Sequence, residues 1–181
     1  MIYYDYDDIR LYLASYSNIS GIASILISIE YGMNMDSLEL RNQYLIKNIY
    51  YKDGSYSLEE SAIKSIDLVS NVGDRIVSYS NKTNTFFRYL KNIGKEKFED
   101  YRATNIDYDD AYQIINSLIY ENRIVFSEDS DNLQVIFDRL QYFNLENSPD
   151  PIIYALFHSI AVIEHNRVGE LSREETKFYT I

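Results

Sequence analysis

Apolar side chains recur along this chain chiefly at three- and four-residue intervals, the spacing that lines one face of an α-helix. Ile9, Tyr12, Leu13 and Tyr16 predict a helix over 6–16. Ile19, Ile22, Leu26, Ile29 and Met33 continue that spacing up to Gly32 and Met33. Ile25, Ile27 and Ile29 also alternate, so a strand over 19–31 stands as the alternative. Asp36 with Glu39 reads as an N-cap and an acidic first turn, opening a helix that would bury Leu38, Leu45 and Ile49. Lys52-Asp53-Gly54-Ser55 is a turn, and the flanking Tyr50, Tyr51 and Tyr56 admit a short hairpin there.

Ser57-x-x-Glu60 is a capping box, in which the Ser oxygen and the Glu carboxylate satisfy free amides at a helix start. It precedes the best-patterned helix, with Ile63, Ile66, Leu68, Val69, Val72, Ile76 and Val77. A shorter helix over 84–93 turns Phe86, Leu90 and Ile93 inward and closes at Gly94. Asp107 caps a helix carrying Ala111, Ile114, Ile115 and Leu118, and Ser130 opens one with Leu133, Ile136, Phe137 and Leu140. Asp150-Pro151 is a start signal, because Pro at the first helical position loses no hydrogen bond. Ser172-x-x-Glu175 caps a short terminal helix. The pattern therefore predicts an all-α fold: a single compact multi-helix domain of about eight or nine helices with at most a minor β-hairpin. Residues 1–181 read as one helical domain, with two lobes, 1–104 and 105–181, as the alternative.

Residues 130–165 pair a helix bearing Leu133, Ile136 and Leu140 with Asn147-Ser148-Pro149-Asp150-Pro151 and a helix bearing Ala155 and Ala161. This resembles a single HEAT-type helical hairpin, in which an Asp-Pro turn precedes the inner helix, although a basic residue often found early in that helix is missing. The resemblance implies a solenoid-like C-terminal end that binds a partner along one face, and no particular activity.

Composition narrows the chemistry. The chain has 181 residues, 17 basic and 28 acidic, a net charge of -11, no Cys, no Trp and 19 Tyr. Thiol catalysis and Cys-ligated metals are excluded. No run of about 18 apolar residues predicts a membrane span. The N-terminus lacks the basic and apolar stretches of a signal peptide, so a cytoplasmic location, in a bacterial host or an infected cell, is expected. Acidic clusters stand at Asp5, Asp7 and Asp8, at Asp107, Asp109 and Asp110, and at Glu128, Asp129 and Asp131. Helix capping accounts for part of them. No Gly-containing calcium loop, phosphate-binding glycine loop or nucleophile elbow accompanies them, and no metal or cofactor is expected.

Two constellations could carry chemistry. His158 and His165, with Tyr154, share one stripe of a helix that is apolar nearly all round. Their seven-residue spacing, about 10.5 Å, is too long for one metal. It suits two histidines flanking an RNA phosphate as general base and acid, with Arg167 or Tyr154 stabilising charge. The plainer reading is two partly buried, hydrogen-bonded histidines. Residues 82–102 form the one basic stretch, with Arg88, Lys91, Lys95, Lys97 and Arg102 among Phe86, Phe87, Tyr89, Phe98 and Tyr101. Cations interleaved with aromatics can hold single-stranded nucleic acid. Otherwise they form a solvated helix face.

The charge balance favours a non-enzymatic reading: an acidic inhibitor or immunity-type protein that blocks a basic nucleic-acid-handling partner, as phage anti-defence inhibitors and toxin-immunity proteins do. Acidic clusters raise association rates with a basic groove, and Tyr supplies rigid contact area. The alternatives are a metal-independent RNase using His158 and His165, and a viral helical-bundle adaptor that holds an amphipathic peptide.

Overall fold

The long stretches between Leu11 and Asp53 are strands, and the all-α expectation is overturned at its first element. The computed structural model describes residues 11–34, 39–72, 76–81, 85–98, 100–127, 133–146 and 149–164. Strands β1 (Leu11–Asn18), β2 (Gly21–Asn34) and β3 (Glu39–Asp53) form an antiparallel meander. Helix α1 (Leu58–Asp67) leads to β4 (Ile76–Asn81), α2 (Thr85–Ile93) to β5 (Asp100–Thr104), and α3 (Tyr108–Tyr120) to β6 (Ile124–Phe126). Two further helices, α4 (Gln134–Gln141) and α5 (Pro151–Leu156), follow, and α5 continues as a π-helical turn, Phe157–Ala161. The sheet order is β5-β4-β1-β2-β3-β6. β1 is parallel to β4, β4 to β5 and β3 to β6, so β2 alone runs against the rest.

The physical reason for the misreading lies in the burial. β1 and β2 sit mid-sheet with both faces covered, so Leu11–Tyr16 and Gly21–Ser28 are buried without interruption. In such a run a helical spacing can always be picked out. Their Ile and Tyr content suits a pleated surface, because these side chains are stiff or bulky near the backbone. The predicted 36–49 helix is β3, and the predicted 57–77 helix is α1 followed by β4. The caps fare better. Ser57 accepts from the amide of Glu60, Asp107 from Asp109 and Asp110, and Asp150 from Ile152 and Ile153. The expected helix starts at Ser130 and Ser172 lie outside the described residues, as do residues 6–10. No helix among the described residues is long and apolar enough to cross a membrane.

Helices cover both faces. Tyr12, Ala14, Ile25, Ile27, Tyr44 and Ile46 point into one core with α3, α4 and α5, and Leu11, Leu13, Ile22, Leu26 and Ile76 into the other with α1 and α2. The β1–β2 hairpin is tight. Gly21 sits at φ 150°, and a Cβ there would stand 2.5 Å from the Lys52 carbonyl oxygen, a backbone contact that cannot yield.

Hydroxyls mark the layer between sheet and α1. Ser65 Oγ lies 2.7 Å from Ser24 Oγ and 2.7 Å from the Ser61 carbonyl, and Ser24 Oγ lies 2.8 Å from Ser15 Oγ. Ser78 Oγ is buried with no partner among the described residues. A bonded buried hydroxyl stabilises by about 1 kcal/mol, whereas an unbonded one only costs desolvation. Ser65→Ala should therefore lose roughly 1 kcal/mol, and Ser78→Ala should lose nothing or gain slightly. Urea unfolding of the two variants checks this, and equal losses would contradict it.

Candidate functional site

Five of the six strands run the same way, so the carboxyl ends of β1, β4 and β5 share one edge of the sheet. From β1 the chain passes to β2 and β3 on one side, and α1 carries it back to β4 on the other. The β1/β4 boundary is thus a switch point in strand order, the place where open α/β sheets form a ligand crevice.

Here that place is packed with rings. Tyr16 closes the buried part of β1, Thr104 ends β5, Tyr108 opens α3, Tyr154 lies in α5, and His158 sits in the π-helical turn. Tyr16 stacks on His158 at 5.6 Å between centroids and 17° between planes. Tyr154 contacts Tyr16 at 5.1 Å and Tyr108 at 4.3 Å. On the same face Tyr79 of β4 packs on Tyr12 at 5.4 Å.

His158 is only 1% exposed, and both ring nitrogens are engaged. Nδ1 lies 2.6 Å from Thr104 Oγ1 and Nε2 lies 3.0 Å from the Tyr108 hydroxyl. Thr104 spends its one proton on the Ser80 carbonyl at 3.1 Å. The tautomer that satisfies all three groups therefore donates from Nδ1–H to Thr104 and accepts at Nε2 from Tyr108. Burial pulls the imidazole pKa down to about 4, so the ring is neutral near pH 7. Burial also pushes the phenols of Tyr16, Tyr108 and Tyr154 up, Tyr108 helped by the neighbouring Tyr16 and Tyr154. All three stay protonated donors near neutrality. The cluster is a neutral, hydrogen-bonded aromatic plug.

Ion pairs fasten its rim. Arg139 reaches Asp150 at 2.7 Å and Asp53, the last residue of β3, at 2.5 Å. Asp150 therefore caps α5 and anchors α4 together. On the far side of α5, Glu164 pairs with Arg123 and accepts from the Tyr44 hydroxyl at 2.6 Å.

The residues singled out from sequence fall in several places. Tyr154 and His158 share one inward stripe. His165 and Arg167 lie outside the described residues, as do Asp5, Asp7, Asp8, Glu128, Asp129 and Asp131. Asp107 is consumed as the cap of α3, with Asp109 and Asp110 exposed in its first turn. Arg88, Lys91, Lys95 and Lys97 are exposed on and just beyond α2. Arg102 is also exposed, but it points to the other face of the sheet, where Nη1 lies 3.4 Å from the Tyr79 hydroxyl. Among the described residues no group of three His, Asp or Glu side chains could hold a metal ion. Sequence reasoning missed Tyr16, Thr104 and Tyr108. The alternation of Tyr12, Ala14 and Tyr16 is the one local signal for Tyr16. No local signal joins Thr104 to His158, 54 residues apart.

The fold and this edge define a class: an open α/β domain with a six-stranded mixed sheet covered by helices on both faces. No protein-family profile matches the chain, and a search of curated proteins finds no match. Solved structures do match. The nuclease domain of the human cytomegalovirus terminase superposes with a TM-score of 0.53 at 14% identity, over 86% of this chain and 88% of that one. The large terminase nuclease of a thermophilic phage gives 0.52 at 11% identity, over 85% and 82%. The large terminase of another thermophilic bacteriophage gives 0.51 at 9% identity, over 74% of this chain and 35% of that one. At these identities the likeness shows the fold. It corrects the expected all-α, solenoid-like domain, and it speaks against the acidic inhibitor or immunity-type reading, which rested on charge balance and Tyr content. The nuclease alternative is nearer the fold.

Proposed function

We propose that this chain is a nucleic-acid-binding domain built on a nuclease fold, with a centre that does not hydrolyse the strand it binds. The nuclease relatives in structure support the nucleic-acid half of this reading. One observation carries the other half: the switch point is filled by Tyr16, Tyr108, Tyr154 and His158, all hydrogen-bonded or stacked on one another.

Phosphodiester hydrolysis needs either oxygen ligands clustered around metal ions or proton-transferring groups within reach of the phosphate. Protonated phenols are poor ligands for a hard cation. A buried neutral imidazole whose two nitrogens are already bonded has no lone pair or proton to offer a phosphate.

The test uses the purified chain with end-labelled single-stranded and duplex DNA and RNA, in Mg²⁺, in Mn²⁺ and in EDTA. Retarded complexes without cleavage products are expected in all three. Metal-dependent products would overturn the non-hydrolytic centre. Cleavage in EDTA would restore the metal-independent RNase. Failure to retain any nucleic acid would overturn the binding role.

A further inference from the structure

We propose that the exposed face of α2, with the turn that follows it, binds single-stranded nucleic acid; this rests on the nucleic-acid reading above and names the surface. The helix is held to the sheet by Phe86 and Leu90, both fully buried, so its outer face is rigidly presented. Arg88 and Lys91, three residues apart, share one exposed face of α2, and Lys95 follows in the turn just beyond Gly94. Lys97 closes that turn with its amide on the Gly94 carbonyl at 2.9 Å.

These four cations form no ion pair among the described residues, although the chain carries 28 acidic side chains. Arg123 and Arg139, by contrast, are each paired with two carboxylates. Four like charges with no carboxylate partner among the described residues make a local positive field on a protein of net charge -11. Glu96 lies within the turn and lowers that field without cancelling it. Beside these cations Tyr89 is 41% exposed and Ile93 45%, large apolar surface at the edge of a cationic patch. Lys91 Nζ stands 5.9 Å from the Tyr101 ring centroid of β5, a cation–π contact that steadies it. Cations that track phosphates and an exposed ring that stacks a base are the two requirements for binding a single strand. An acidic protein would need the cations but not the ring.

Fluorescence anisotropy with a labelled oligothymidylate tests this. With four phosphate contacts, log K against log salt should fall with a slope of about -3. Combined Arg88→Glu, Lys91→Glu and Lys95→Glu, in protein shown folded by circular dichroism, should weaken binding at least about tenfold and flatten the slope. Tyr89→Ala should weaken it roughly 5- to 150-fold with the slope unchanged, as expected for loss of one stacked base. If the wild-type chain binds nucleic acid and these variants bind it equally well, this surface is wrong while the broader reading stands. If the wild type binds none, the broader reading fails first. Equal affinity for the matching duplex would overturn the single-strand assignment. Equal affinity for polyglutamate, with Tyr89→Ala silent, would overturn it in favour of an acidic protein partner.

Discussion

Phe157→Ala should destabilise the fold by about 3–5 kcal/mol, the usual range for truncating a fully buried aromatic. The side chain is 0% exposed and lies in the π-helical turn beneath the plug. Its ring meets Phe143 edge-on at 5.6 Å, Tyr154 at 5.4 Å and Tyr108 at 6.3 Å. Large stiff rings collapse poorly into a void, so the cavity term should be near its upper end. Domains of this size are stable by only about 5–15 kcal/mol, so the loss would show as a large fall in the urea midpoint. Phe137→Ala is the control. That residue is 53% exposed and its ring meets the Phe126 ring edge-on at 6.5 Å, so its cost should stay below about 1 kcal/mol. Equal losses at the two positions would show that the plug is not a tightly packed core. Phe157→Leu, which keeps most of the volume, reads the same effect if the alanine variant does not fold.

Acid should unfold this protein partly through one residue. His158 titrates at about 6.5 in the unfolded chain and is pulled down to about 4 in the fold by burial. Between those values the unfolded ring holds a proton and the folded ring does not. The unfolded state thus binds more protons, and stability falls as pH drops through that window, by about 3 kcal/mol in all. Near pH 7 both states are neutral and the contribution to the slope vanishes. Exposed carboxylates also respond to acid, so the decisive quantity is a difference. His158→Gln should be less stable than wild type at pH 7, because Thr104 and Tyr108 lose a fitted partner. The gap should close or reverse by pH 4.5. A gap that stays constant over this range would mean that His158 takes up its proton at the same pH in the fold as in the unfolded chain, and the argument from burial would be wrong. The same result would remove the strongest argument against proton transfer at this centre.

The caps were legible because they are local. Ser57, Asp107 and Asp150 each bond an amide two or three residues ahead, and a short motif contains both partners. The starts of α1, α3 and α5 followed from them. The strands were legible only as an alternative for β2, in the alternation of Ile25, Ile27 and Ile29, since β1 and β2 are buried on both faces and leave no polar side to set a period of two. β4 was merged with the helix before it: Ile76 and Val77 fit its apolar spacing, and the stop signal Gly73-Asp74 between them and Val72 was passed over. The acidic excess misled for a different reason. Net charge describes the surface and is silent about the backbone, so a nuclease fold can carry -11 as easily as an inhibitor can.

At the site, sequence placed Tyr154 and His158 on one stripe because helical geometry alone does so. It also identified the cations Arg88, Lys91, Lys95 and Lys97, which are neighbours along one short helix and the turn that follows it. What they mean needed the structure, which shows the inner face anchored, the cations unpaired among the described residues, and Arg102 turned to the other side of the sheet. The plug itself was decided only by the tertiary fold. Tyr16, Thr104, Tyr108 and His158 come from four separate elements, and their meeting depends on strand order and on the π-helical turn after α5 packing against β1 and β4. Local interactions within three or four residues are written in the chain; contacts across 50 or more residues exist only once the sheet has set which ends lie together.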